Sequence, residues 1–256
     1  MIIKETNQNN LEQNIKQLKK EFKRIKNLEY VKSIRHGNTG VGATFEHLLG
    51  KKEDSFEIPD FGQIEIKTKR SYSKALISLF NAVPTGSSFY EVKRLRDIYG
   101  YRDNNDHTLK KLNTIIYSNQ LTKVGINYYF KIKVDKPKQK VFLQIYNKQK
   151  ILIDENTYWD FDILKEKLYR KLKILALIKA WPNRIGGIEY FKYYKMNIYI
   201  LKDFKDFINM VENGEIAIEL KIGNYYDLKK YGNVHSHGIT FAIKEEDLPK
   251  LFNPYQ

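Results

Sequence analysis

Pro59-Asp60-Phe61-Gly62-Gln63-Ile64-Glu65-Ile66-Lys67-Thr68 is the stretch on which the reading of this 256-residue chain turns. From Ile64 to Thr68 apolar and polar residues alternate, the period of a β-strand. Glu65 and Lys67 then project from one face, Ile64 and Ile66 from the other. Pro59 and Gly62 favour a turn before the strand, and Asp60 within it comes close enough for its carboxylate to meet that of Glu65. Two such groups, hydrated at a strand edge, suit Mg²⁺, a hard cation that keeps several waters and takes one or two carboxylates plus phosphate oxygens. A lysine beside them orients or deprotonates the attacking water, or neutralises charge building on a phosphate. Those are the parts of a phosphodiester hydrolase. A surface Glu–Lys pair of no catalytic use has the same pattern, and with 29% of the chain charged, chance also produces it.

Upstream, Leu11, Ile15, Leu18, Phe22, Ile25, Leu28 and Val31 recur at spacings of three and four, with Lys16, Lys19, Lys20, Lys23, Arg24 and Lys26 between them. The spacing predicts an amphipathic helix with a buried stripe and a basic face, N-capped by Asn9 or Asn10. That face is either simply solvated or touches phosphate. Residues 37–42 break the pattern, 43–49 resume it as a short helix capped by Gly50, and an acidic loop leads to Pro59. Downstream, residues 75–82 fit a strand or a helix, and 84–88 a loop. Residues 129–134 and 141–146 alternate on either side of Asp135-Lys136-Pro137-Lys138 as a hairpin. Residues 161–180 carry Leu164, Leu168, Leu172 and Leu175 at helical spacing. Residues 196–201 and 216–222 read as strands around a helix at 204–211. This order implies an α/β or α+β fold, a mixed central sheet flanked by helices.

The formal charge is +15, from 45 Lys+Arg against 30 Asp+Glu. Such a balance points to a polyanion, DNA or RNA above all. Only eight of the cations are Arg, and the abundance of Lys, Ile, Asn and Tyr is what AT-rich coding produces, so composition accounts for part of the charge. A hydrophobic fraction of 42% with 14% aromatic residues excludes an intrinsically disordered chain. The lack of Cys excludes a disulfide scaffold and a thiolate zinc site. The longest apolar stretch, 174–178, is too short to span a bilayer, and the N-terminus lacks the apolar core of a signal peptide. A soluble, cytoplasmic protein without a membrane partner is expected.

Gly37-Asn38-Thr39-Gly40-Val41-Gly42-Ala43-Thr44-Phe45-Glu46, followed by Pro59-Asp60-Phe61 and Ile64-Glu65-Ile66-Lys67-Thr68, resembles the MvaI/BcnI family of type II restriction endonucleases. That family is related to the mismatch-repair nicking enzyme MutH and carries the PD-(D/E)xK nuclease core. The likeness continues in Tyr158-Trp159-Asp160-Phe161-Asp162, and in Ile222-Gly223 before His235-Ser236-His237-Gly238, so it spans most of the chain. It implies that Asp60 and Glu65 bind the metal, that Lys67 serves the attacking water, and that Glu46 supports the site from the preceding helix. It also implies that His235 and His237 lie near the recognised bases, with Lys221 as a further DNA contact. Ile239-Thr240-Phe241-Ala242 lacks the Arg that the family pattern leads one to expect there. Arg is the usual reader of guanine edges, so a target other than the family's familiar one is expected.

Other motifs fail. Gly40-x-Gly42 has Phe45 where a dinucleotide fingerprint needs its third Gly, and no Gly-Lys-Ser/Thr follows for a P-loop. As half of a zinc site, His235-x-His237 has only His36, His47 and His107 to draw on. No Ser has the setting of an activated nucleophile.

Together these features predict a Mg²⁺-dependent type II restriction endonuclease that hydrolyses double-stranded DNA. Its catalytic lobe is expected over residues 1–150 and its recognition lobe over 151–256, interleaved around a DNA cleft. The resemblance implies a monomer with one active site, and a cognate DNA methyltransferase as genetic partner. A MutH-like nicking enzyme and a non-catalytic DNA-binding protein are the alternatives.

Overall fold

Residues 59–70 fold as their pattern predicts, a turn followed by a strand, and the rest of the chain explains why that strand is held so firmly. The computed structural model describes residues 2–50, 59–86 and 88–255, and for 2–9 and 88–89 the backbone alone. The expected acidic loop, 51–58, and Ser87 lie outside the described residues. In chain order the first elements are α1 (Ile2–Lys26), β1 (Val31–Lys32), α2 (Gly40–Leu48), β2 (Ile64–Arg70), β3 (Ile77–Asn81), α3 (Ser88–Tyr99), β4 (Tyr101–Arg102), β5 (Lys110–Ile116) and β6 (Thr122–Val124). Next come β7 (Tyr128–Asp135), β8 (Lys140–Tyr146), β9 (Leu152–Asp160), α4 (Phe161–Lys171), β10 (Ile174–Ile185) and β11 (Ile188–Leu201). The chain closes with α5 (Phe204–Asn213), β12 (Ile216–Asn224), β13 (Val234–Ile243), α6 (Leu248–Leu251) and β14 (Phe252–Pro254). No helix among the described residues is long and apolar enough to cross a membrane.

The chain divides into two compact units, one of residues 1–77, 169–202 and 252–256, the other of 78–168 and 203–251. The expected division at 150/151 differs from this. The 128–146 hairpin belongs to the second unit, and 169–202 returns to the first because β10 and β11 complete the sheet that β2 begins.

In the first unit that sheet runs β1-β11-β10-β2, with β14 pairing β11. One face is covered by α1 and α2: Ile15, Leu18, Phe22 and Ile25 pack with Val41 and Phe45 against Ile64, Ile66, Ile174, Ala176 and Ile178. Each such side chain withdrawn from water contributes about 1.5–3 kcal/mol. The apolar stripe of α1 is as expected, but its limits are not. The helix begins before Asn9 and Asn10, so neither caps it, and it ends at Lys26, leaving Val31 to pair with Phe191 in β1. Likewise α2 starts at Gly40 rather than Ala43, and Leu49 takes the C-cap position.

The largest departure is at 172–180. The helical spacing breaks off at α4, and Leu175 lies in β10, which pairs parallel with β2 and antiparallel with β11. Residues 174–178 are all 2% exposed or less. A strand covered on both faces has no reason to alternate, so its continuous apolar run looks like one more turn of the preceding helix.

The second unit holds two sheets, β3-β13-β12-β5-β4 and β6-β7-β8-β9. Residues 77–81 are thus strand, the expected hairpin forms between β7 and β8, and α5 is capped by Asp203, whose side chain accepts the Asp206 N–H at 2.9 Å. Trp159, fully buried, packs edge-on against Phe241 and donates its indole N–H to the Ala82 carbonyl at 2.9 Å.

Candidate active site

Among the described residues β2 is the terminal strand of its sheet, so alternate N–H groups on its outer side have no strand there to bond. One of them, Ile66 N–H, is taken by Asp60, whose Oδ2 accepts it at 2.9 Å. The turn that brings Asp60 back requires Gly62 at φ +60°, where a Cβ would also fall 2.4 Å from the Asn14 amide nitrogen. A side chain at 62 would therefore be strained in conformation and would force the Asn14 side chain to move.

Glu65 departs from expectation. It is only 1% exposed, not a hydrated surface carboxylate. Lys67 Nζ lies 2.6 Å from its Oε1, as the shared strand face predicts, and Lys171 Nζ lies 3.4 Å from both of its oxygens. Lys171 ends α4, and the parallel pairing of Ile174 with Ile64 sets that helix end beside the start of β2. Nothing in the sequence singles out Lys171 among Lys165, Lys167, Arg170 and Lys173. A buried carboxylate is tolerated only when charge and hydrogen bonds compensate its lost hydration, and the two ammonium groups do that here.

Glu46 is half-buried on α2, one turn beyond Gly42. A Cβ on Gly42 would lie 3.2 Å from Thr68 Oγ1 and 3.9 Å from Glu46 Oε1, so the missing side chain lets α2 lie close along β2. The donor set that Asp60 and Glu65 offer is hard oxygen, the kind Mg²⁺ takes, with room in its shell for water and phosphate. In these terms the residues fit the cation.

A second cluster lies in the other unit, on β12 and β13. His235 and His237 share a face as their spacing predicts, with ring centroids 4.2 Å apart, and Tyr225 stacks on His235 at 4.3 Å and 17°. Both line a cavity of about 410 Å³ with Asp103, Lys111, Asn224 and Tyr225. Desolvation, then His235 and Lys221, hold the His237 imidazole below its ordinary value, so at neutral pH it presents one donor and one acceptor. Lys221 is not a lone cation: its Nζ pairs with Glu219 Oε2 at 2.5 Å.

Asp103, in the wall of this cavity, is only 1% exposed. Burial pushes its carboxyl up, but hydrogen bonds from the Tyr226 hydroxyl, the Asn105 N–H, Asn224 and Lys111 outweigh that and bring it down to about 2. Arg96 donates to Asn224 Oδ1 at 2.7 Å and to the Gly232 carbonyl at 3.0 Å, tying the 225–233 loop to α3. This polar underlayer was not foreseen; its members are far apart in sequence and carry no local signature. The absence of Arg after Gly238 has a structural counterpart, since Ile239, Phe241 and Ala242 are buried core residues of β13.

Comparison with known proteins places the chain in a family. The family model for the MvaI/BcnI restriction endonuclease family matches residues 19–252. Among solved structures, the complex of restriction endonuclease MvaI with its cognate DNA substrate is similar at a TM-score of 0.87 and 35% identity, covering 94% of this chain and 96% of that one. MvaI in the absence of DNA is similar at a TM-score of 0.61 and 34% identity, with the same coverage. A search of curated proteins gave no match. With the family model covering nearly the whole chain and the solved relatives above 30% identity, the chain belongs to the MvaI/BcnI family of type II restriction endonucleases, site-specific deoxyribonucleases.

Proposed function

We propose that this endonuclease cuts double-stranded DNA at the Asp60–Glu65–Lys67 edge of β2, with Mg²⁺ as its cofactor. The observation that carries the reading is the buried Glu65 carboxylate held between Lys67 and Lys171, with Asp60 fixed on the next backbone N–H. In water such a group would be mobile; here it is oriented before substrate arrives. When bound by Asp60 and Glu65, the cation supplies Lewis acidity, stabilising charge on the phosphate and activating water. Lys67, tethered to Glu65, orients that water in line with the scissile bond, and Lys171 offsets the added negative charge of the substrate. The bond from the water oxygen to phosphorus forms as the P–O3′ bond breaks, and the leaving 3′ oxygen takes up a proton. A 5′-phosphate and a 3′-hydroxyl result. Glu46 supports the site from α2.

Sequence reading belongs to the β12–β13 cluster. His235 and His237 present ring nitrogens to base edges, and Lys221 contributes a phosphate contact whose strength Glu219 moderates. The family resemblance supports a monomer that nicks one strand and then the other, acting in the cytoplasm beside a DNA methyltransferase of the same specificity.

A plasmid incubated with Mg²⁺, and in parallel with EDTA, tests the reading. Discrete linear fragments with nicked circles as transients are expected, and sequencing their ends gives the site and the stagger. Nicked circles as the sole product would mean a MutH-like activity. An unchanged plasmid across varied sequences would contradict catalysis at this edge.

A further inference from the structure

The face of the first unit's sheet that carries Glu65 and Lys67 continues beyond them. Ile64, Ile66, Ile174, Ala176, Ile178 and Ala180 point to the other face, into the core with α1 and α2. Lys69 therefore shares the face of Lys67, and its register partner Lys179 in β10 sits opposite Lys195 in β11. Three lysines thus form a row across three adjacent strands. Together they make a positive stripe on this face, along which a phosphate backbone can lie.

Immediately past this row the β10–β11 register slips. Lys179 pairs with Lys195 but Ala180 pairs with Tyr193, so Tyr194 is the extra residue of a β-bulge. Such a bulge re-aims a side chain. Tyr193 enters the core, 1% exposed, and donates its hydroxyl to the Val41 carbonyl at 2.8 Å. Tyr194 instead stacks on Trp181, ring centroids 4.2 Å apart and 10° from parallel. Ser71 Oγ, 2.9 Å from the Ala180 carbonyl and 3.3 Å from the Tyr194 hydroxyl, holds the phenol in place. Trp181 remains 40% exposed, while the chain's other tryptophan, Trp159, is fully buried. Two large rings stacked in the open beside a lysine row do little for the core.

We propose that Trp181, braced by Tyr194, is a DNA-binding residue that packs against the deoxyribose edge of the duplex flanking the cut, while Lys69, Lys179 and Lys195 neutralise its phosphates. The proposal rests on the nuclease reading of Glu65 and Lys67. Trp181 lies four residues beyond Leu177, the register partner of Lys67. At about 3.3 Å per residue that is roughly 13 Å, or about four base-pair steps. The contact thus falls outside the bases at the cleaved bond and touches flanking DNA of any sequence.

The test measures equilibrium binding without divalent metal, using duplexes that carry the sequence found at the fragment ends. One duplex extends well beyond the site on both sides; the other is trimmed to the site. On the long duplex Trp181→Ala should bind about tenfold more weakly than wild type, the scale of a lost aromatic contact, and Trp181→Phe should retain most of the affinity. On the trimmed duplex wild type and Trp181→Ala should bind alike. Lys179→Ala should lower the salt slope by about one on the long duplex only. Equal binding of wild type and Trp181→Ala to the long duplex, or the same loss on both duplexes, would overturn the proposal and leave the nuclease reading intact. A wild-type protein that binds neither duplex would overturn both.

Discussion

The edge of β2 and the face of β12–β13 are both polar sites on β-strands, yet they are built in opposite ways. At β2 the charge is formal and enclosed: Glu65 is buried, and two ammonium groups pin it. At β12–β13 Tyr225 stacks on His235, His237 is tilted against His235 and exposed, and the buried charge of Asp103 lines the same cavity. Catalysis requires electrostatics oriented before the transition state forms. Reading bases requires donors and acceptors at a surface that the major groove can reach. The contrast predicts that substitutions in the first region destroy rate, whereas those in the second alter choice.

The largest effect is expected from Asp60→Ala and Glu65→Gln, which should abolish cleavage while DNA affinity without Mg²⁺ holds or rises, since each removes negative charge facing phosphate. Gln is the better probe at 65: the site is enclosed, and truncation to Ala would leave Lys67 and Lys171 facing each other, at a stability cost of about 1–3 kcal/mol. A folded Glu65→Gln variant cutting at near wild-type rate would erase the contrast. Lys67→Ala should lose roughly 10²-fold in rate, and Lys67→Arg should not restore it, because a planar guanidinium cannot occupy the place of a compact ammonium at a crowded carboxylate. Full rescue by Arg, measured in single turnover, would reduce Lys67 to a general positive charge.

At the second region, His235→Ala or His237→Ala should cost about 1–3 kcal/mol of discrimination between the cognate site and its single-base variants, with a smaller change in binding to random duplex. Equal losses on both would make these residues phosphate contacts. The smallest effect concerns pH. Because His237 is held below its ordinary value in the folded chain, the unfolded chain takes up its proton first as pH falls past about 6.5. Stability should therefore decline from that point toward the lower folded value. His237→Asn should remove this part of the decline in melting profiles recorded across the range; an unaltered profile would show that the pocket does not hold the imidazole neutral.

The legible parts of this molecule are those whose two faces differ in chemistry, one apolar and the other polar. β2, the 128–146 hairpin, α1 and α5 all carry that asymmetry in their residue spacing, so their type could be read directly. β10 could not, because it is covered on both sides and its apolar run lacks alternation. The same strand determines that Lys171 meets Glu65, so missing it hid one of the two cations at the site. Asp60, Glu65 and Lys67 lie within eight residues of one another and announced themselves. Asp103, Arg96 and Asn224, which join across more than a hundred positions, have no local pattern to find. Tyr194 belongs to this class as well, since only the bulge in β11 turns it away from the core.

The claim that Asp60 and Glu65 hold the catalytic cation is tested most directly by replacing Mg²⁺ with Fe²⁺ and generating hydroxyl radicals with ascorbate and peroxide, which cuts the polypeptide next to the bound ion. Scission should map to the backbone around Asp60 and Glu65, be suppressed by excess Mg²⁺, and vanish in Glu65→Gln. Scission mapping to a different part of the chain, or persisting unchanged in that variant, would contradict the assignment.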